Sequence, residues 1–355
     1  MTVVSVVGTV TGRQYLSRDP GDTVRILDAD GRVVEGATVP DLEEAELAAM
    51  YAEMVVSRHL DERMVSLQRQ GRLGTYAPLA GQEGAQVGST HALADDDWIV
   101  DQYREHGAVV VRGIEPEYLL YWMGHEAGNE WLAERHVLPL NISIGSHVPH
   151  ATGMALAAKL RGDDGVVCCH FGDGATSEGD FHEGLNIAGT FDVPALFVCN
   201  NNQWAISIPR EAQTASATLA GKAEAYGFTG VQVDGMDPLA VYAVTAAARH
   251  TTADDPSVYR DDEEVAAWKE RDPIDRLEAY LRDRGLLDDE RVAEIEAAAE
   301  AEVARLVDGA MGYDPDPDRM FETAYETTPP RLREQQRYLA ALRERHDDGV
   351  LLRDE

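Results

Sequence analysis

The chain has 355 residues, 64 of them acidic against 31 basic, for a formal charge of −33 at neutral pH. That balance argues against nucleic-acid binding, which rests on lysine and arginine neutralising phosphates. A hydrophobic fraction of 44% supports a sizeable core and argues against disorder, while no apolar run approaches the ~20 residues of a membrane span.

Residues 1–40 are expected to form a strand and hairpin extension: Val24-Arg25-Ile26-Leu27, a turn at Asp30-Gly31, then Arg32-Val33-Val34. The first twenty residues carry no clear signal. Asp41 with Glu44 predicts a capped helix start, continued by Leu47, Met50, Tyr51, Met54 and Val55 at helical spacing. Gly81-Gln82-Glu83-Gly84 opens a helix of small residues. Asp97-Trp98-Ile99-Val100 is strand-like and feeds Tyr103-Arg104-Glu105-His106-Gly107. Helices follow over 117–124 and 151–160.

Val166 to Phe171 and Ala195 to Cys199 are short apolar strands. Between them lie a tight turn, Gly172-Asp173-Gly174, and a helix over 179–190. Continuous apolar strands joined through a helix imply a buried parallel sheet with a right-handed crossover. Val231-Gln232-Val233 adds a strand and 237–249 a helix. Beyond 261 the pattern is charged and helical, broken by Pro315, Pro317, Pro329 and Pro330. The fold class is α/β: a parallel sheet flanked by helices, with a helical C-terminal region. One domain over 41–345 is expected, then an acidic tail over 346–355.

The first strand ends at Asp173, which places that carboxylate at the ligand-binding edge of an open α/β sheet. Gly174 permits a turn and a close approach. A helix starting after Ser177 would aim its free N–H groups at the same crevice, an anion site. The next strand delivers Asn200, Asn201 and Asn202 to that edge. One carboxylate and one amide oxygen suit magnesium, which takes oxygen ligands and commonly shares them with a phosphate.

Gly172-Asp173-Gly174 followed by Asn201-Asn202 resembles the motif of thiamine-diphosphate enzymes. The run from Gly172 to Asn186, Tyr103 to Gly107, and His250 to Asp255 resemble the alpha subunit of the 2-oxo acid dehydrogenases, pyruvate or branched-chain, decarboxylating component. So do Tyr259-Arg260 and Arg271-Asp272-Pro273-Ile274. The resemblance implies thiamine diphosphate and Mg2+ as cofactors. It implies Asp173, the Asn202 side chain and the Trp204 carbonyl as metal ligands. Tyr103, Arg104, Gly172, Gly174 and Ala175 would meet the diphosphate, and Ile144 would lie under the bent cofactor. Asn200 stands where relatives often carry a phosphate-binding arginine. His250 would pass the acyl group to lipoamide.

The family also needs a glutamate from a second homologous domain. The resemblance therefore implies a beta subunit, an α2β2 assembly and a lipoyl acyltransferase partner. One departure is marked. In relatives a loop and a further sheet strand separate the helix ending near Arg249 from the His250 loop, and here the helix runs straight into His250. The sheet is expected to lack that strand, and an impaired or non-catalytic paralogue stays open as the alternative reading. A nucleotide-binding protein is disfavoured by the absence of a Walker-type lysine loop and a Gly-x-Gly-x-x-Gly turn.

His182 is expected as a packed core histidine. His106 and His147 suit either pocket or core, and Ile144 either core or cofactor. Cys168, Cys169 and Cys199 lack metal spacing and read as buried free thiols of a reducing compartment. With no secretory signal at the N-terminus, a cytoplasmic protein is expected. Lys159, Lys222 and Lys269 are the only lysines, and the acidic surface reads as adaptation to high salt, where a Debye length of about 3 Å screens self-repulsion.

Overall fold

A computed structural model describes residues 2–6, 23–249, 272–322 and 325–346. By contacts the chain divides into two compact units, Met1–Ala310 and Met311–Glu355.

In the first unit, strand β1 (Thr2–Val6) and a short β2 (Thr23–Val24) precede the long helix α1 (Glu44–Arg69). The expected turn forms after β2: Leu27 bridges Val33, and Gly31 takes φ +75°. Helix α1 starts two residues later than the Asp41 reading. Glu43 is the N-cap, and the Glu46 carboxylate accepts from the Glu43 N–H at 2.8 Å. Asp41 with Glu44, and Glu43 with Glu46, offer a capping pair in either register; in the one formed, Leu42 just before the cap is buried. Helix α2 (Glu83–His91), β3 (Trp98–Val100), α3 (His106–Val111) and α4 (Glu117–Trp122) follow. The small residues of α2 have a packing purpose. A Cβ on Gly88 would lie 2.6 Å from the Pro238 carbonyl oxygen.

Helix α5 (His147–Arg161) leads to β4 (Val167–Gly172), a helical turn at Asp173–Ser177, α6 (Gly179–Phe191) and β5 (Ala195–Asn200). A small hairpin, β6 (Trp204–Ala205) and β7 (Ile208–Pro209), and the short helices α7 (Arg210–Gln213) and α8 (Gly221–Glu224) come next. The unit continues with β8 (Thr229–Val233), α9 (Pro238–Arg249), α10 (Pro273–Asp283) and α11 (Asp289–Met311).

The six-stranded sheet has the order β2-β8-β1-β5-β4-β3. β3, β4 and β5 are parallel to one another, and β2 is parallel to β8. Alternate residues of the central strands face opposite layers. Cys168, Leu196, Val198, Val231 and Val233 pack with α1, α9, α10 and α11, whereas Val167, Cys169, Phe171, Ala195, Phe197 and Cys199 pack with α5, α6 and α8. All three cysteines are buried, and none is in a disulfide. Among the described residues no helix is long and apolar enough to cross a membrane.

The expected loss of a strand does not leave a gap. β1 lies between β5 and β8 and pairs antiparallel with both. Its sequence, Thr-Val-Val-Ser-Val, is rich in β-branched residues. Its partners are some two hundred positions away, beyond the reach of a local pattern. In the second unit, α12 (Arg319–Glu322) and α13 (Pro330–Arg343) are linked by Gln336 donating to Glu322 at 2.9 Å, and α13 buries none of its residues.

Asp237 joins the N-terminal turn to the sheet. One carboxylate oxygen accepts from the Ile26 and Leu27 N–H groups, both at 2.6 Å. The other accepts from Ala240 N–H in the first turn of α9, at 3.1 Å. Asp237→Ala strands three buried donors, and each unmet donor costs about 1–3 kcal/mol. Denaturant unfolding should show a loss of at least about 2 kcal/mol, with Asp237→Asn intermediate.

Candidate functional site at the strand tips

Three parallel strands end at one edge of the sheet. β3 delivers Tyr103 and Arg104, β4 delivers Gly172, Asp173 and Gly174, and β5 delivers Asn200 to Asn202. The register aligns Gly172 with Asn200. Side chains lock the tips together. The Gln102 amide oxygen accepts from Gly172 N–H at 3.5 Å. One Glu105 oxygen accepts from Gln102 and Arg104 N–H at 3.2 and 3.1 Å, and the other from Asn200 Nδ2 at 3.1 Å.

Asp173 is 1% exposed. Its Oδ2 is 3.5 Å from Gln213 Nε2, and its Oδ1 has no hydrogen-bond partner. Burial pushes the carboxyl up, opposed by hydrogen bonds that include one from the Asn202 backbone. Asp173 and Asn202 are therefore neighbours. The Asn202 side-chain oxygen accepts from Trp204 N–H at 3.0 Å, closing a tight turn. A buried anionic oxygen without a partner is costly unless a cation meets it, so these residues fit a divalent ion. Among the described residues no group of three or more His, Cys, Asp or Glu could hold a metal. An ion shared with a diphosphate needs fewer, because phosphate and water oxygens complete its shell.

The surroundings are tight on one side and open on the other. A Cβ on Gly174 would lie 2.8 Å from Ala205 Cβ in the β6–β7 hairpin, whereas nothing stands within 4 Å of one on Gly172. Gln203 and Ile206 take left-handed backbone, φ 71° and 58°. Such conformations cost on the order of 1–3 kcal/mol each and concentrate at functional sites. Ala175 is buried in the Asp173–Ser177 turn, and the half-buried Ile144 belongs to a loop seated on that turn. A Cβ on Gly145 would lie 2.9 Å from Glu178 Cβ. Arg104 is half-buried, with its guanidinium 5.8 Å from the Tyr103 ring centroid and one N–H donated to the Pro78 carbonyl. Trp204 is 40% exposed.

One expected anion donor is displaced. Helix α6 begins at Gly179 with Glu178 as its N-cap and Asp180 in its first turn, so acidic groups already face its positive end. The amides of Gly174 and Ala175, in the preceding turn, are the backbone donors beside Asp173.

The sequence profile of the dehydrogenase E1 component family matches residues 51–250 and 247–316. The chain belongs to this family. It is 41% identical over 344 residues to "3-methyl-2-oxobutanoate dehydrogenase subunit alpha" of Mycobacterium tuberculosis, covering 90% of this chain and 94% of that protein. It is 40% identical over 338 residues to "Pyruvate dehydrogenase E1 component subunit alpha" of Staphylococcus aureus, covering 88% and 91%. The profile breaks into its two stretches at 247–250, the junction where a strand is expected to be missing.

Several residues of this E1 chain hold the site together although no role there was expected of them from the sequence. Gln102 and Glu105 bind the strand tips. Lys222 donates to the Thr176 carbonyl and hydroxyl oxygens at 2.8 and 3.0 Å, fixing the far end of the Asp173 turn, and burial lowers its pKa. A buried Ser89, His170 and Asp101 also line up, at 3.4 and 3.2 Å. Ser89 spends its proton on the Ala85 carbonyl at 2.7 Å, so no nucleophile results. Burial pushes Asp101 up to about 6, against the pull of His170. His147 is core, its Nε2 donating to the His170 carbonyl at 2.8 Å. His182 departs from the expected core position: it is exposed on α6, paired with the Tyr226 hydroxyl. His250 lies outside the described residues.

His106 is core. Its ring stacks on Tyr76, Nε2 donates to the Ala77 carbonyl at 3.1 Å and Nδ1 accepts from the Tyr118 hydroxyl at 2.6 Å. Burial lowers its pKa to about 4, so the folded chain holds it neutral. Protons then bind the unfolded chain more readily, and the stability His106 contributes is lost as pH falls from about 6.5 towards 4. Urea midpoints measured at pH 7 and pH 5 should show this acid loss, and His106→Gln should flatten it.

Proposed function

We propose that this chain is the alpha subunit of the decarboxylating component of a 2-oxo acid dehydrogenase, and that it grips thiamine diphosphate through Mg2+. The partnerless buried oxygen of Asp173, beside Asn202 at adjoining strand tips, carries the reading. Asp173, the Asn202 side chain and the Trp204 carbonyl would hold the ion. Tyr103, Arg104 and the backbone of Gly172, Gly174 and Ala175 would take the diphosphate, with Ile144 under the cofactor. Arg104 suits this role because its forked donors match phosphate oxygens. Bound thiamine diphosphate supplies nucleophilic chemistry at a 2-oxo carbon and a sink for the electron pair left by loss of CO2. The chain's own residues orient that group and bury its charge.

The β6–β7 hairpin beside Asp173 presents Trp204, Ile206 and Ile208, 40%, 89% and 48% exposed. Such an apolar patch at the rim of a site supports a partner surface, and a beta subunit in an α2β2 assembly would cover it and add the missing glutamate. A lipoyl acyltransferase would accept the acyl group. Near-equal identity to pyruvate and 3-methyl-2-oxobutanoate enzymes leaves both substrate types in the assay. The charge of −33 fits a protein working in the cytoplasm at molar salt. Kinship over nine-tenths of the chain favours the catalytic reading over an inactive paralogue.

His250, carried over from the family resemblance as the residue that passes the acyl group to lipoamide, belongs to the same proposal. Arg249, the last described residue before it, pairs with Asp97 at 2.5 Å. His250→Ala in the co-expressed pair is expected to lower lipoamide acylation more than decarboxylation, and unchanged acylation would remove His250 from the reaction.

With the beta subunit co-expressed, Asp173→Ala should weaken retention of Mg2+ and thiamine diphosphate by at least ~100-fold. Calorimetric titration in molar salt measures it, with pyruvate and branched 2-oxo acids as assay substrates. Unchanged retention would refute the grip.

A further inference from the structure

β1 runs against both of its neighbours in the middle of the sheet. Its register is continuous on either side, from Thr2 opposite Asn200 and Val233 to Val6 opposite Leu196 and Thr229. β5 and β8 therefore point the same way, two strand spacings apart, or about 10 Å. Without β1 the sheet would be two pieces, β2-β8 and β5-β4-β3, each with an open edge.

The handedness of the fold says what belongs in that slot. From β4 the chain crosses through α6, on the layer with α5 and α8, and steps to β5, towards β8. From β8 it leaves through α9, on the opposite layer with α1 and α10. Right-handed crossovers on opposite faces step in opposite directions. A strand following α9 would therefore step from β8 back towards β5, into the place that β1 fills. The sequence after α9 is His-Thr-Thr-Ala-Asp-Asp, with no apolar run to build such a strand, and the family profile breaks at the same junction.

We infer that the N-terminal strand is a built-in replacement, inserted in reverse direction into the slot left by the strand that α9 should have delivered, and that it braces the β5 tip carrying Asn200 to Asn202. Its start, Thr2, pairs with Asn200 itself, at the ligand edge. β4 holds β5 on one side, and β1 is the support on the other. The slot works as strand addition does elsewhere, with main-chain hydrogen bonds on two open edges supplying the affinity. The bracing part of this inference rests on the metal-grip reading of that tip. The insertion part does not.

The test is hydrogen exchange of the alpha chain in complex with its beta subunit, in molar salt. Amides of 195–200 and 229–233 should be strongly protected. Val4→Pro removes a ladder donor and places proline in an interior strand, which sheets tolerate only at edges or bulges. Exchange in both segments should rise at least about tenfold, and thiamine diphosphate with Mg2+ should bind more weakly in parallel. Unchanged protection of both segments overturns the insertion. Faster exchange with unchanged cofactor affinity keeps the insertion and overturns the bracing. If the unaltered complex binds no thiamine diphosphate, the metal-grip reading fails while the exchange result still decides the insertion. As a second arm, a chain lacking residues 1–6 should regain protection with a synthetic peptide of residues 1–8. Equal rescue by the Val4→Pro peptide would refute strand pairing as the cause.

Discussion

The carboxylate of Glu105 is shared between two strand tips, holding the Tyr103-Arg104 loop through the backbone of residues 102 and 104 and holding β5 through Asn200. Parallel strand direction brings β3, β4 and β5 to one edge. It does not by itself fix the loops that leave them. Glu105 does so with both oxygens used, and Gln102 adds the tie to Gly172. The spacing between a cationic loop, an acidic turn and an amide-rich tip is then a property of the buried frame. A site assembled this way needs little rearrangement to accept a strongly charged ligand, which is what preorganisation requires.

That frame keeps Asp173 in an unfavourable state. The carboxylate is buried, one oxygen lacks a partner, and the adjoining hairpin places two non-glycine residues in left-handed backbone. Each feature costs folding free energy, and together they mark the part of the chain where local rules yield to function. A divalent ion at Oδ1 would relieve the first two and leave the backbone strain, which sets the hairpin over the turn. A cation bound there would link stability to ligand affinity, because an ion that binds only the folded state stabilises it by mass action.

Much of this was legible in the sequence. The apolar runs at 166–171 and 195–199 became β4 and β5 within one residue, because buried parallel strands need continuous hydrophobicity. Gly172-Asp173-Gly174 and Asn200-Asn201-Asn202 then fall at one edge by topology alone. Glu105 was not legible as a clamp, since its role depends on Asn200 ninety-five positions away. Nor was β1, whose five residues look like any short β-branched run until β5 and β8 stand on either side. Helix α1 shifted by two residues for a related reason: several acids can serve as caps, and Leu42 is buried in the register that forms. His182 was misplaced because helical position alone does not say which face meets solvent.

Charge completes the picture. A chain at −33 repels a diphosphate over about 10 Å at moderate ionic strength, but over only about 3 Å in molar salt. In the second regime surface charge ceases to oppose binding, and only groups in contact with the ligand count. Two cations lie on the segments around the tips: Arg104 in the loop after β3, and Lys222, spent on fixing the Asp173 turn. An acidic surface and an anionic ligand are thus compatible when the attraction is short-ranged and built into the buried frame. A site relying on a diffuse basic field would lose its attraction in molar salt.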